Sequence, residues 1–146
     1  MRKGSLISFV TGVFLFTMAC VVPGSVQGSD KPFVFGLLLV GPYNDHGYSQ
    51  AHYEGGEYVQ KKVPGTRMIY IDKVNPADRA GVTVPQLVDE LVEKGCQLVI
   101  ANSDDMKDGI VEAALDHPEV KFIHVSGDQV WNGTAPANLS NLMGRM

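Results

Sequence analysis

FVFGLLLVGPYNDHGYSQAHYEGGEY, from Phe33 to Tyr58, is the stretch that decides the fold. Its first eight residues, Phe33 to Val40, are apolar with no polar alternation. That is the pattern of a strand covered on both faces of a parallel sheet, not of one with a wet side. Gly41-Pro42 breaks the run, and a polar, aromatic turn then opens into a helix. Parallel sheets take their ligands outside the carboxyl ends of the strands. Asn44, Asp45, His46 and Tyr48 fall at that end and are the first candidate ligand contacts.

Working outward, strand and helix patterns alternate with short turns, which predicts an α/β fold: an open parallel sheet with helices on both faces. The first helix is expected from about Asp45 to Lys62, with Tyr48, Ala51, Gly55 and Val59 at helical spacing and Pro64-Gly65 after its end. Arg67 to Lys73 reads as the second strand. Val84, Leu87, Val88, Leu91 and Val92 form a regular amphipathic stripe, and Lys94-Gly95 supplies the stop. Gln97 to Ala101 is the third strand. Asn102-Ser103-Asp104-Asp105 then offers two capping-type side chains and two acids for a third helix reaching Asp116. Lys121 to Val125 is the fourth strand, Asp128 to Asn138 a loop, and Leu139 to Met146 a fifth strand.

With 146 residues, 45% hydrophobic and 19% charged, the chain has the make-up of one globular domain with one core. Residues 1–28 read separately as a secretory leader: Arg2 and Lys3 precede an apolar run of 14 residues, Leu6 to Ala19. That run is shorter than the roughly 20 residues a membrane span needs. Thr17-Met18-Ala19-Cys20 resembles a lipoprotein processing site that would leave Cys20 lipidated, with the leader ending at 19. Val26-Gln27-Gly28 suits ordinary cleavage before Ser29, and both routes stay open. Residues 29–146 carry 16 acids against 10 Lys and Arg, a net charge of −6, which argues against nucleic acid as a partner. Once Cys20 is removed or acylated, Cys96 has no cysteine to pair with.

The turn GPYNDHG carries neither G-x-G-x-x-G nor Gly-Lys-Ser/Thr, so a nucleotide-dependent enzyme is disfavoured. No G-x-S-x-G elbow and no histidine pair four apart is present; His46 and His52 are six apart and turn to different faces. No cofactor, no metal and no catalytic set is expected. A secreted α/β enzyme using Asp45, His46 and Asp108 as an acid/base group is the alternative, but it names no nucleophile, oxyanion hole or metal set.

Four segments in order, NDHGYSQAHYEGG, ANSDDMKDG, KFIHVSG and NLSNLMGRM, resemble the basic membrane protein family, the PnrA-like solute-binding proteins of bacterial ABC importers. The resemblance runs from about Phe33 to Met146, and the combination is specific where no single motif is. It implies the first lobe of a type I periplasmic-binding-protein fold, truncated before the second lobe that family members carry. It also implies a monomer outside the cytoplasmic membrane, without enzymatic activity, that passes a purine nucleoside, purine base or similar small molecule to permease subunits. A ligand-sensing receptor domain is a third reading.

Carried over by the resemblance, Tyr48 stands where the family has an aromatic that stacks on the ligand base, with core packing against Ala51 as the plain alternative. Asp45 matches the acid that opens the first helix, where capping is the plain alternative. Asp108 matches an acid of the third helix suited to a sugar diol, or is a solvated surface acid. Ser103 matches a small hydroxyl residue whose ordinary role is an N-cap, and His46 and His52 match with less weight. Asp104 and Asp105 depart from the family branch, which has an aromatic and a glycine there. The change makes the cleft wall anionic and favours a neutral or cationic solute.

Overall fold

The computed structural model describes residues 31–143; the expected leader with its candidate processing sites, and residues 144–146, lie outside them. β1 (Phe33–Leu38) buries both of its faces, as its unbroken apolar run demands. Val34 and Leu38 point into one apolar cluster, Phe35 and Leu37 into another that continues to Leu39. β2 (Thr66–Ile71), β3 (Leu98–Ala101), β4 (Lys121–Val125) and β5 (Leu139–Leu142) complete a five-stranded sheet of order β2-β1-β3-β4-β5. Every neighbouring pair is parallel.

Helices cover both faces. α1 (Tyr48–Lys62) brings Tyr53 to the cluster of Phe35, Leu37 and Leu39. On the opposite face α2 (Val84–Glu93) and α3 (Lys107–Asp116) bury Leu87, Val88, Leu91 and Ile110 against Val34, Leu38, Val99 and Phe122. Each such side chain contributes about 1.5–3 kcal/mol when fully buried, so this packing is a main source of the fold's stability. Cys96 belongs to this core, and burial pushes its thiol up to about 11, which keeps it protonated and unreactive. α2 starts at a full capping box between Thr83 and Gln86 and stops before Gly95 at φ 88°.

The first helix differs from the sequence expectation in two ways. It begins at Tyr48 rather than Asp45, because His46 takes a left-handed φ of 55° and Gly47 a non-helical conformation at φ −153°, ψ −128°. Its buried face is Ser49 and Gly56, with Tyr53 between, so Tyr48, Ala51, Gly55 and Val59 all point outward. The reason is close approach. A Cβ on Gly56 would lie 2.2 Å from Met68 Sδ and 2.9 Å from Leu37 Cδ1, so only glycine fits where α1 crosses the sheet. Tyr48, 47% exposed, is therefore not a core residue. A 3-10 turn, Asp104–Met106, precedes α3.

Candidate functional site

The strand order reverses between β1 and β3, where Leu38 pairs with Ala101, and such a switch point opens a crevice at the carboxyl ends. The turns after these two strands thus stand side by side. Their backbone is fixed by side chains. The Val40 N–H donates to Asn102 Oδ1 at 2.9 Å while its carbonyl accepts from Asn75 Nδ2 at 2.8 Å. Gly41 N–H donates to Ser49 Oγ at 2.9 Å, and its carbonyl accepts from Lys73 N–H at 3.1 Å. Asn102, 1% exposed, therefore ties down β1 and does not cap the third helix as its sequence position suggests. Ser103 caps the 3-10 turn Asp104–Met106, its Oγ accepting from Asp105 N–H at 3.3 Å, and not the third helix itself.

Asp45 closes the turn before α1. Its Oδ1 accepts from Gly47 N–H at 2.8 Å and Gln50 N–H at 3.0 Å, and its Oδ2 from Ser49 N–H at 3.0 Å. The Gln50 amide first, with those of Ser49 and Gly47 against a smaller opposing effect of burial, holds the carboxyl below its ordinary value. A carboxyl so lowered adds stability that is complete above the unfolded value of about 3.9 and is lost as pH falls through the folded one. Acid titration of the thermal midpoint should therefore cost the wild type more than Asp45→Asn. Two curves falling in parallel would show that Asp45 carries no such linkage.

Tyr48 and His52 share the outer face of α1, ring centroids 4.5 Å apart edge to face, and His52 Nδ1 donates to the Tyr48 carbonyl at 2.8 Å. His46 gives its N–H to Gln50 Oε1 at 3.0 Å. Asn44 lies elsewhere, on a crevice of about 110 Å³ with Tyr43, Tyr53 and Glu57. Asp104 is exposed on the 3-10 turn beside Ser103. Asp108 lines a groove of about 480 Å³ along α3 with Val111, Glu112 and Leu115. The structure thus gathers Asp45, His46 and Tyr48 on one turn and Ser103 with Asp104 on the adjacent one, while Asn44 and Asp108 open onto other cavities.

A buried polar chain behind the second turn escapes sequence reasoning. His124 is fully buried; its Nε2–H donates to the Ser103 carbonyl at 2.8 Å and its Nδ1 accepts from Gln129 Nε2 at 2.8 Å. Gln129 Oε1 accepts from Asn141 Nδ2 at 2.8 Å, and Asn141 Oδ1 from Val130 N–H at 2.7 Å. The sequence signal is one histidine in an apolar strand and one glycine after it. Gly127 has no room for a Cβ, which would lie 2.3 Å from His124 Nδ1 and 2.4 Å from both Asn141 Nδ2 and Gln129 Oε1.

Among the described residues no helix is long and apolar enough to cross a membrane. Two solved structures share the fold. A solute-binding protein of an ABC transporter system from Conexibacter woesei DSM 14684 superposes with TM-score 0.63 at 18% identity over 76% of this chain. This chain spans only 35% of that protein. A fragment provisionally assigned as a lipoprotein from Peptoclostridium difficile 630 gives 0.61 at 16% identity, over 77% of this chain and 85% of the fragment. No curated protein matches the sequence. The family described as ABC transporter substrate-binding protein PnrA-like matches residues 33–146. With more than half of its length so matched, the chain belongs to the PnrA-like substrate-binding proteins of ABC transporters.

Proposed function

We propose that this chain is the first lobe of an extracytoplasmic solute-binding protein that delivers a purine nucleoside, a purine base or a similar flat, neutral solute to an ABC permease. The observation that carries the reading is Tyr48, the first residue of α1, which holds its ring half-exposed at the carboxyl end of β1. The turn beneath it is fixed by Asp45 and Ser49. A phenol ring on a rigid support can stack on a base, which contributes about 1–3 kcal/mol in protein sites. Ser103 and Asp104 face the solute from the adjacent turn, and Asp108, on the α3 groove, is outside this contact set.

No bond breaks in this mechanism. A second lobe closes over the solute, and the binding free energy sets the closed population. Export follows the leader, with the mature protein either lipid-anchored at Cys20 or released by cleavage before Ser29. The acid/base reading is weaker, because both oxygens of Asp45 are engaged and its lowered value makes it a poor proton acceptor.

Calorimetric titration with inosine and guanosine tests the proposal. The lobe alone should bind weakly, because tight sites bury about 70–90% of a ligand and one lobe leaves a face in water. Tyr48→Ala should lose about tenfold or more, corresponding to at least the lower part of the stacking range, and Tyr48→Phe little. Equal affinities in all three proteins, or nanomolar binding by the lobe alone, would overturn it.

A further inference from the structure

A further cavity opens at the amino end of α2, and nothing in the nucleoside reading uses it. It encloses about 140 Å³. At the roughly 30 Å³ that a water molecule claims in the liquid, this is room for about five waters. Nucleosides belong to the larger sites of about 300–1,000 Å³, so the cavity suits a much smaller molecule. Val74, Val82, Val84 and Leu87 give its lining aliphatic surface, and Arg79 and Asp105 bring opposite charges to it.

Those two charges are placed but not paired. The Arg79 Nε–H donates to the Asp72 carbonyl at 3.0 Å, which orients the guanidinium. Among the described residues its terminal nitrogens take part in no ion pair. Asp105 is held through its backbone N–H by Ser103 Oγ, and its carboxylate accepts no hydrogen bond among the described residues. Asn75, also on the cavity, is occupied with the Val40 carbonyl and Asp78. A guanidinium fork matches a carboxylate, a carboxylate matches an ammonium, and the amino end of a helix favours the anionic end of such a ligand.

We propose that this cavity binds a small zwitterion, an α-amino acid with a short aliphatic side chain. Its carboxylate lies on the free edge of Arg79, its ammonium on Asp105, and its side chain against Val74, Val82, Val84 and Leu87. The molecule carries no net charge, which agrees with the acidic turn beside it. The site is separate from Tyr48 and does not rest on the nucleoside reading.

Titration calorimetry of the 146-residue chain with L-valine is the test, with isobutyrate and isobutylamine as probes that keep one charge each. L-valine should bind, and each single-charge probe should bind at least about tenfold more weakly, the loss expected for one charge-assisted contact. Arg79→Gln and Asp105→Asn should each lose a similar factor, while Tyr48→Ala should leave L-valine binding unchanged. Thermal midpoints are recorded for each variant; should Arg79→Gln unfold, Asp105→Asn at its exposed position and the probe series still decide. No heat with L-valine in the millimolar range overturns the proposal, as do variants or single-charge probes that match the parent pair. Loss of nucleoside binding in Tyr48→Ala with L-valine binding intact would separate the two sites.

Discussion

Alanine in place of Gly127 is expected to destabilise the protein by about 2–6 kcal/mol, the sum of an overpacking cost near 1–3 and the loss of a buried polar contact of similar size. The added methyl meets three polar atoms at once, His124 Nδ1, Gln129 Oε1 and Asn141 Nδ2, all within 2.4 Å. None is the free end of a flexible chain, since each is bonded into the same buried sequence of donors and acceptors. A satisfied polar chain strengthens its members, and a broken one leaves them desolvated without partners. Urea unfolding checks the value, with Gly55→Ala as the control. Gly55 has nothing within 4 Å of its Cβ position, so that change should stabilise α1 slightly, by about 0.5–1 kcal/mol. A Gly127→Ala protein as stable as the wild type would mean that loop 126–130 can move away at no cost.

Asn102→Asp is the second change of large effect, with about 3–5 kcal/mol lost near neutral pH, the range for an uncompensated buried charge. Asn102 is fully enclosed, its Oδ1 takes the Val40 N–H, and its Nδ2 has no partner among the described residues. The aspartate keeps the shape and the one acceptor in use but adds a negative charge in apolar surroundings, which raises its folded pKa above the unfolded value of about 3.9. Below that value both states are neutral and the deficit against wild type should be small. It should grow as pH rises, because the unfolded chain ionises while the folded one resists. Denaturant midpoints of both proteins between pH 3 and 7 give the difference directly. A deficit independent of pH would show that water reaches the position.

Much of the fold could be read because the sequence repeats one instruction over several residues. β4 spans Lys121–Val125 as expected, and the α2 stripe buries Leu87, Val88 and Leu91. What failed depended on small residues or distant partners. Tyr48, Ala51, Gly55 and Val59 keep helical spacing, yet the face that packs is marked by Ser49 and Gly56, two small residues that let α1 approach the sheet. Hydrophobicity has no signal for a face chosen by smallness. Asn102 read as a helix cap because its local neighbours look like one, but its partner, Val40, is 62 positions away. Asp45 was legible as a cap because its three donors lie within five residues. The His124 chain joins β4, a loop and β5, an adjacency that exists only once the sheet has formed.

The interior place of β1 in the sheet governs how the domain must fold. This strand is the first of the five in the chain, yet it is flanked by β2 on one side and β3 on the other. Its register joins Phe33 to Thr66, and Phe35 to Leu98, which lies 63 positions further on. No adjacent pair of strands can close as a hairpin, so every step of assembly waits on a long loop. A growing chain therefore carries a strand greasy on both sides until more than half of its length has been made. Synthesis halted between β2 and β3 would leave Val34 and Leu38 bare of the α2 side chains that shield them. A partly folded chain thus exposes apolar surface that favours aggregation before the sheet is complete.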